Sequence, residues 1–368
     1  MNILITGNMG YVGPGVIYRL RNAFPTATLI GYDMGYFASC ITNADVLPEC
    51  KLNQQIFGDV RSLSPDVLTA IDAVVHLAAI SNDPMGLAYH DVTLDVNYRA
   101  TIAIATLAKQ AGVRHFVFAS SCSIYGFADG ADKVETDDLN PLTTYAQSKV
   151  QSEQALASLA DEQFTVTSLR FATACGMSDR LRLDLVLNDF VANAVLKRHI
   201  KIMSDGSPWR PLIHVSDMAR AIEWAVCRPA TNGGDFLAIN VGSNAWNYQV
   251  KALAQAVANI IPDTTISINS DAVPDKRSYR VNFDKFAELA PDHQPVFTLK
   301  ETIIELVEGL VSLDFKSYDI YQSPLIRLRV LNKLQIEERL NADLTWTNHN
   351  PPRFETNLVY HDFQRNQA

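Results

Sequence analysis

The sequence predicts an α/β protein with a doubly wound parallel sheet, and two observations support this fold class. Short apolar runs alternate with helical patterns over about the first 240 residues, which is typical of a parallel sheet covered by helices on both faces. Acidic, small or hydroxyl side chains follow the ends of successive runs, where such a sheet has its ligand crevice. These side chains belong to Asp33, Asp59, Ala78, Ser120 and Ser121.

The first strand and the first helix are joined by a glycine-rich turn. Residues 2–6 are mostly apolar, and Gly7, Gly10 and Gly13 follow before a helical pattern begins. A turn of this kind directs backbone N–H groups and a helix N-terminus at a phosphate group. Pro14 lies in the first helical turn, where its missing N–H costs little.

The second strand, residues 28–32, ends at Asp33, which lies 20 residues after Gly13. An acidic side chain at this place accepts hydrogen bonds from an adenosine ribose. No arginine follows Asp33 closely, so a 2′-phosphate would be repelled, and the pattern favours NAD over NADP. The alternative is a glycine-rich turn followed by an unrelated aspartate.

The remaining elements follow in order up to about residue 243. Further strands are predicted at 55–57, 73–77, 115–119, 163–169 and 236–241, and helices at about 94–111, 184–196 and 248–261. Another helix begins after Ile213, with Ser216 or Asp217 as its N-cap.

The chain is long enough for two domains. We expect a cofactor-binding domain from 1–178, to which 211–242 return, and a smaller α/β substrate-binding domain from 179–210 and 243–368. The segment 316–340 is amphipathic and predicted to be mostly helical, packing on the smaller domain or on a neighbouring subunit. A polar tail containing Pro351 and Pro352 is expected to fray.

Tyr145 and Lys149 are four residues apart in a predicted helix, so their side chains share one face. An unperturbed tyrosine has a pKa of about 10. A nearby ammonium would lower that pKa, as a general base requires, although this spacing also occurs by chance. Ser121 ends the preceding strand and could hydrogen-bond the same substrate oxygen. Cys122 is expected to be a buried filler rather than a nucleophile.

The charge and the cysteines exclude several classes of protein. A net charge of −9 argues against nucleic acid or an anionic membrane as the partner. The five scattered cysteines indicate reduced thiols, without a disulfide framework or a metal site. No signal peptide or membrane-spanning run is evident, and we expect a soluble cytoplasmic protein.

A local excess of cations stands out against the negative net charge. Such a cluster beside a crevice suits a diphosphate ligand, although a solvated helix edge is the alternative for each residue. The cluster comprises Arg180, Arg182, Lys197, Arg198, Lys201 and Arg210, and residues 275–280, with Arg277, form a second candidate ligand-facing loop.

Together these motifs resemble the extended short-chain dehydrogenases/reductases of the nucleotide-sugar epimerase and dehydratase type. The resemblance covers roughly residues 1–310. It depends on Thr6-Gly7-Asn-Met-Gly10-Tyr-Val-Gly13, Gly58-Asp59-Val60, His76-Leu-Ala-Ala79, Asn97, Ser120-Ser121 with Tyr125-Gly126, Tyr145 with Lys149, and Arg210 ahead of Ile213-His-Val. It implies a Rossmann-type sheet, a role in polysaccharide biosynthesis, and a homodimer paired through the helices that bear Tyr145 and Asn97. Val150, Ala155, Leu156 and Leu159 could form part of that face, or could pack on the sheet instead.

The resemblance also implies a role for each matching residue. The catalytic residues would be Tyr145, Lys149 and Ser121, with Ser123 as the alternative hydroxyl. NAD would be bound by Gly7, Gly10, Tyr11, Val12, Gly13, Asp33, Asp59, Val60, Leu77, Ala78, Ala79, Asn97, Ser120, Tyr145, Lys149 and Phe171. The substrate, a nucleotide-diphosphate sugar, would be bound by Ser121, Tyr145, Thr173, Asn188, Arg210 and Arg277.

Two departures from the family pattern bear on the reaction. Dehydratases of this type carry Asp-Glu directly after the catalytic hydroxyl, whereas this chain has Cys122-Ser123, which disfavours a 4,6-dehydratase. Pro211 and Thr173 replace a usual Asp and Asn, which suggests a pocket unlike that of a typical UDP-galactose epimerase. The leading hypothesis is an NAD-dependent epimerase that oxidises its sugar transiently at C4. A 4-ketoreductase or dehydrogenase would use the same residues, and a non-catalytic NAD-binding protein is a further alternative.

Overall fold

The computed structural model describes residues 1–42, 44–128, 130–269, 277–313, 320 and 323–347. Residues 275–276 of the candidate loop and the tail with Pro351 and Pro352 lie outside these ranges.

Seven parallel strands form the central sheet, as predicted. Their spatial order is β3 (Gln54–Phe57), β2 (Thr28–Asp33), β1 (Asn2–Thr6), β4 (Ala73–His76), β5 (His115–Ser121), β6 (Thr165–Phe171) and β10 (Phe236–Val241). The strand order reverses between β1 and β4, and a ligand crevice opens at the carboxyl ends of the strands at such a point.

Helices cover both faces of this sheet. On one face lie α1 (Gly13–Ala23), α7 (Val215–Ala225) and α9 (Asp284–Leu289), and on the other α4 (Ala100–Gln110) and α5 (Thr144–Leu159). Because strand side chains alternate between faces, Ile3 and Ile5 join the core under α1, while Leu4 joins the core under α4. Two short helices, α2 (Asp83–Ala88) and α3 (His90–Leu94), lead through a π-helical turn at Asp95–Arg99 into α4. The predicted helix at 94–111 is therefore interrupted.

A smaller part of the chain has a core of its own. Strands β7 (Thr173–Cys175), β9 (Trp209–His214) and β11 (Asn247–Gln249) form one small sheet, and β8 (His199–Ile202) pairs with β12 (Thr265–Ile268). Helices α6 (Val186–Lys197), α8 (Val250–Ile260) and α10 (Leu299–Ser312) share a core that contains Leu187, Leu253 and Leu306.

The prediction for the start of α7 is wrong. Its N-cap is His214, whose Nδ1 accepts a hydrogen bond from the Ser216 backbone N–H at 3.1 Å. Asp217 instead accepts hydrogen bonds from the backbone N–H groups of Val296 and Phe297. This aspartate therefore fixes a distant loop rather than the helix end.

The apolar stripe of α5 packs inside the chain. Leu156 is fully buried, Leu159 packs beside it against the sheet, and Val150 packs against the core on the other face. The stripe therefore follows the second of its two predicted uses. The homodimer remains a prediction.

The C-terminal segment, predicted to pack on the smaller part or on a neighbouring subunit, packs on both parts of this chain. Ile320, Leu325 and Ile326 do join the core of the smaller part. Beyond them, α11 (Arg327–Ile336) and the residues up to Trp346 pack against Ile80, Met85 and Val92, which follow β4. Across the described ranges, no helix combines the length and apolar character needed to cross a bilayer.

Candidate active site

One cavity of about 890 Å³ collects most of the predicted site residues at the carboxyl edge of the central sheet. Those that line it are Gly7, Gly10, Tyr11, Val12, Asp33, Asp59, Val60, Leu77, Ala78, Ala79, Ser120, Ser121, Ser123, Tyr145, Lys149, Phe171, Thr173, Arg210 and Arg277. Gly13, Asn97 and Asn188 do not line it.

The glycine turn has the geometry that a dinucleotide diphosphate requires. Gly7 has φ +73°, and a Cβ on it would lie 2.5 Å from the backbone nitrogen of Ala78. The N-terminus of α1 carries no side-chain cap and no acidic residue in its first turn. Its backbone N–H groups and the positive end of the helix dipole therefore remain available to an anion.

Gly13 packs against the backbone of the glycine turn on the side away from the cavity. A Cβ there would overlap the carbonyl group of Asn8. We expect Gly13→Ala to weaken NAD binding by about tenfold or more and to lower the melting temperature, since the turn must shift to relieve the overlap. NAD titration calorimetry and thermal unfolding check this. Gly15→Ala is the matched control, because its Cβ would meet only ordinary contacts at 3.8 and 3.9 Å in the same helix. Equal NAD affinity in both variants would contradict the prediction.

Asp33 lies at the end of β2, as the ribose-binding role requires. Its carboxylate accepts hydrogen bonds from the backbone N–H groups of Met9 at 3.0 Å and Gly35 at 2.7 Å. Burial raises the pKa of Asp33, and these two hydrogen bonds oppose that rise. Each carboxylate oxygen has a second lone pair that can accept a ribose hydroxyl.

Asp59 has a partner that the sequence did not suggest. Arg61 binds the Asp59 carboxylate through Nε and Nη2, the Nε contacts measuring 2.9 and 3.0 Å. Both residues line the cavity. An adenine at this place would therefore meet an ion pair rather than a lone carboxylate.

Helix α5 brings Tyr145 and Lys149 to the end of β5. The Thr143 side chain caps the helix by accepting a hydrogen bond from the Ala146 N–H at 3.2 Å. The Lys149 ammonium donates to the carbonyl oxygen of Ala119 at 2.7 Å and lies 5.6 Å from the centre of the Tyr145 ring. A hydrogen bond joins the hydroxyls of Ser121 and Tyr145. The three predicted catalytic residues thus share one corner of the cavity.

The expected lowering of the Tyr145 pKa by Lys149 is not found. Burial raises the pKa of Tyr145 to about 12, although the hydrogen bond with Ser121 opposes the rise. Burial also lowers the pKa of Lys149 to about 7, against the influence of Glu153. The charged forms of both groups lose hydration in this corner, and Lys149 does not offset that loss for Tyr145. Tyr145 is therefore a neutral phenol at pH 7 in the free protein.

A buried ion pair lies next to the corner that Tyr145, Lys149 and Ser121 share. Arg170 binds Glu153 through Nη2 at 2.8 Å and through Nε at 3.1 Å, and the Ser120 hydroxyl donates to Glu153 at 2.5 Å. Ser120 thus lines the cavity, but its hydroxyl already donates a hydrogen bond to Glu153. Cys122 is 1% exposed and its thiol donates to the carbonyl oxygen of Arg170. Burial raises the Cys122 pKa, which fits the filler role.

Ser123 carries the alternative hydroxyl of the predicted catalytic set. Its Oγ is buried and has no hydrogen-bond partner among the residues that the structure describes, although the residue lines the cavity. A buried hydroxyl without a partner is costly, so this oxygen is suited to a ligand.

Asn97 and Asn188 hold backbone that forms the site. The Asn97 side chain exchanges two hydrogen bonds with the backbone of Ile80, at 2.8 and 3.0 Å. The Asn188 side chain accepts from the Gly176 N–H at 3.0 Å and donates to the carbonyl oxygen of Arg182 at 2.9 Å. Both are fully buried, so their influence on a ligand is indirect.

The predicted cations separate into three groups. Lys197 and Arg198 are exposed at the end of α6 and do not line the cavity. Arg180 pairs with Glu49 at 2.7 Å, and Arg182 pairs with Asp184 at 2.9 Å. Lys201 and Arg210 line the cavity from the smaller part, and Arg277 lines it from the segment before α9. Arg210 lies over the Tyr279 ring, and Arg277 pairs with Asp83.

Some lining residues were not predicted. They include Tyr36 and Phe37 after β2, Asp184, and three residues of the C-terminal segment, Arg327, Leu331 and Leu344. The alternation of charged and apolar residues in 316–340 indicated a helix. It did not indicate which surface of the protein this helix covers. No local spacing connects this segment with the glycine turn.

Comparisons with known proteins agree with this geometry. The model of the "NAD dependent epimerase/dehydratase family" matches residues 3–242. The chain is 26% identical over 256 residues to the "Uncharacterized UDP-glucose epimerase YtcB" of Bacillus subtilis (strain 168), covering 66% of this chain and 77% of that protein. It is 23% identical over 287 residues to the "dTDP-D-glucose 4,6-dehydratase" of Mus musculus, covering 77% and 79%.

A solved structure extends the likeness to the whole fold. "MoeE5 in complex with UDP-glucuronic acid and NAD" superposes with a TM-score of 0.72 at 25% identity, over 85% of this chain and 99% of that one. The family model covers well over half of the chain, including the glycine turn, Asp33, Tyr145 and Lys149. The chain therefore belongs to the NAD-dependent epimerase/dehydratase family, and NAD is its cofactor.

Proposed function

We propose that this chain epimerises a nucleotide-diphosphate sugar through transient oxidation at C4. The observation that carries the proposal is that Tyr145, Lys149 and Ser121 line one cavity together with the glycine turn, Arg210 and Arg277. NAD, bound along the glycine turn with its adenosine ribose on Asp33, would accept and return the hydride. The nucleotide diphosphate would meet Arg210 and Arg277.

Each residue of the corner has a defined task in this proposal. Tyr145 takes the proton of the C4 hydroxyl during oxidation and returns it to the ketone oxygen during reduction. Ser121 hydrogen-bonds Tyr145 and can hydrogen-bond the same sugar oxygen. The Lys149 ammonium favours the phenolate whenever Tyr145 loses its proton. Because the free site keeps Tyr145 neutral, ligand binding must lower its pKa before oxidation can occur.

The two positions directly after Ser121 carry no carboxyl group, which argues against elimination of water. Cys122 and Ser123 occupy the positions where dehydratases of this type carry Asp-Glu, and the Cys122 thiol is buried and donates to a backbone carbonyl. A relative named as a dehydratase is nevertheless about as similar as one named as an epimerase. The resemblance alone therefore does not choose the reaction.

A 4-ketoreductase or dehydrogenase is the alternative, because the same three side chains would serve a reaction with net oxidation or reduction. We expect conversion of one or more UDP- or dTDP-linked hexoses to a C4 epimer, without a stoichiometric change in NADH absorbance. Product analysis by NMR together with NADH absorbance checks this. A stoichiometric change in NADH would contradict the epimerase and support the alternative. A 4-keto-6-deoxy product would show dehydration.

A further inference from the structure

The C-terminal segment, residues 323–347, covers the part of the cavity that lies beside Asp33. Leu331, Leu334, Leu340 and Leu344 pack in one apolar cluster with residues that follow β4. Three hydrogen bonds fix its far end to the loops after β2 and β3. Trp346 Nε1 donates to the carbonyl oxygen of Met34 at 2.8 Å, the Tyr36 hydroxyl donates to that of Leu344, and Arg61 Nη1 donates to that of Asp343 at 2.8 Å.

Within this segment, Arg327 is buried and has no carboxylate in direct contact among the described residues. Its side chain is 1% exposed. Nη2 donates to the carbonyl oxygen of Arg180 at 2.7 Å, and the guanidinium lies 4.7 Å from the centre of the Phe37 ring. Among the described residues no carboxylate oxygen lies within 4.0 Å of it, whereas the neighbouring Arg180 and Arg182 each have a carboxylate partner. Burial lowers the pKa of Arg327 to about 10, although Asp184, which pairs with Arg182, opposes this shift from a distance.

A buried guanidinium without an anionic partner is costly to the folded protein. Arg327 lines the ligand cavity together with Gly10, Tyr11 and Val12 of the glycine turn. An anion bound in that cavity would compensate the charge. Diphosphate oxygens suit this task, because guanidinium groups bind them through two parallel hydrogen bonds.

The contacts of Arg327 favour the diphosphate of NAD over the diphosphate of the nucleotide sugar as its ligand. Phe37 lies four residues after Asp33. On the other side, Arg180 is linked to the glycine turn, because its backbone N–H donates to Ser178, whose hydroxyl donates to the carbonyl oxygen of Tyr11 at 2.7 Å. Arg327 is thus held between the loop after Asp33 and a segment attached to the phosphate-binding turn. The cations Arg210 and Arg277 belong to other segments, β9 and the residues before α9.

We propose that Arg327 binds the diphosphate of NAD, so that the C-terminal segment completes the cofactor site. The inference rests on the placement of NAD given under the proposed function. It adds a binding residue that lies 85 positions beyond the end of the family match at residue 242. Leu331 and Leu344 supply an apolar wall on the same segment.

The test compares Arg327→Met with Arg329→Met, which removes an exposed arginine from the same helix. Cofactor is stripped from each protein, and the dissociation constants of NAD and of UDP are measured by titration calorimetry. We expect Arg327→Met to raise the dissociation constant of NAD at least about tenfold, the effect of one charged hydrogen-bond pair. The dissociation constant of UDP should not change, and Arg329→Met should behave as wild type.

Thermal unfolding of the stripped proteins separates binding from structure. Removing an uncompensated buried charge should leave the melting temperature of Arg327→Met unchanged or raise it. A lower melting temperature, an unchanged NAD affinity, or a loss of UDP affinity instead of NAD affinity would each overturn the inference. Wild-type protein that fails to bind NAD would contradict the proposed placement of the cofactor. Wild-type binding with an unaffected Arg327→Met would contradict only the role of Arg327.

Discussion

Replacing Tyr145 with phenylalanine is expected to lower turnover by about 10²–10⁴-fold, the usual contribution of a positioned acid or base. The ring would keep its place, but the hydroxyl that hydrogen-bonds Ser121, and that we propose exchanges a proton with the sugar, would be gone. Turnover is measured on any nucleotide sugar that the wild type converts. NAD affinity, measured by calorimetry, should stay within about twofold of wild type.

Tyr98→Phe is the matched control, because Tyr98 is half-buried and does not line the cavity. It should retain wild-type turnover. Full activity of Tyr145→Phe would exclude Tyr145 as the acid and base, and would favour a protein that binds NAD without using this residue. A parallel loss of NAD affinity would show that the substitution had damaged the cofactor site instead.

Replacing Lys149 with methionine is expected to lower turnover by about 10²-fold or more and to stabilise the free protein. The gain in the stability of the free protein depends on pH in a defined way. Below pH 7 both the folded and the unfolded chain bind the Lys149 proton, so the folded state bears the full cost of the buried charge. Between about pH 7 and pH 10.5 the folded state releases this proton while the unfolded state keeps it, so wild-type stability rises with pH.

Thermal unfolding at several pH values therefore distinguishes Lys149→Met from wild type. The variant should melt at least about 2 °C higher at pH 6, and this difference should shrink as the pH approaches 10. Lys300→Met, which removes an exposed lysine of α10, should show no such trend. A variant that melts lower than wild type at pH 6 would mean that the ammonium stabilises the free fold.

The parts of the site that depend on local spacing were predictable from the sequence. Gly7 and Asp33 lie at the ends of β1 and β2, which a parallel sheet brings to one edge, and Tyr145 lies in the helix that follows β5. The seven-stranded sheet follows from the same alternation. Sequence spacing also located Lys149, but the pKa of Tyr145 depends on how completely the pair is buried, which spacing does not reveal.

Contacts between distant segments were not predictable. Arg327 reaches the cavity only because the C-terminal segment returns to the loops after β2 and β4, and its neighbours in sequence carry no sign of that return. Asn97 and Asn188 were assigned to ligands by resemblance, whereas each is occupied by backbone groups. The capping of α7 by His214 was missed because a buried histidine replaced the usual short polar cap.

The hydrogen bonds that attach the C-terminal segment join residues 308 and 312 positions apart. During synthesis, β1, the glycine turn and β2 leave the ribosome long before this segment does, and the N-terminal part of a chain generally folds first. Contacts of such long range are among the last to form. A nascent chain would therefore display an open dinucleotide groove whose outer wall is still missing. With NAD placed as proposed, its binding would favour the docked segment by mass action and would couple cofactor supply to the completion of folding.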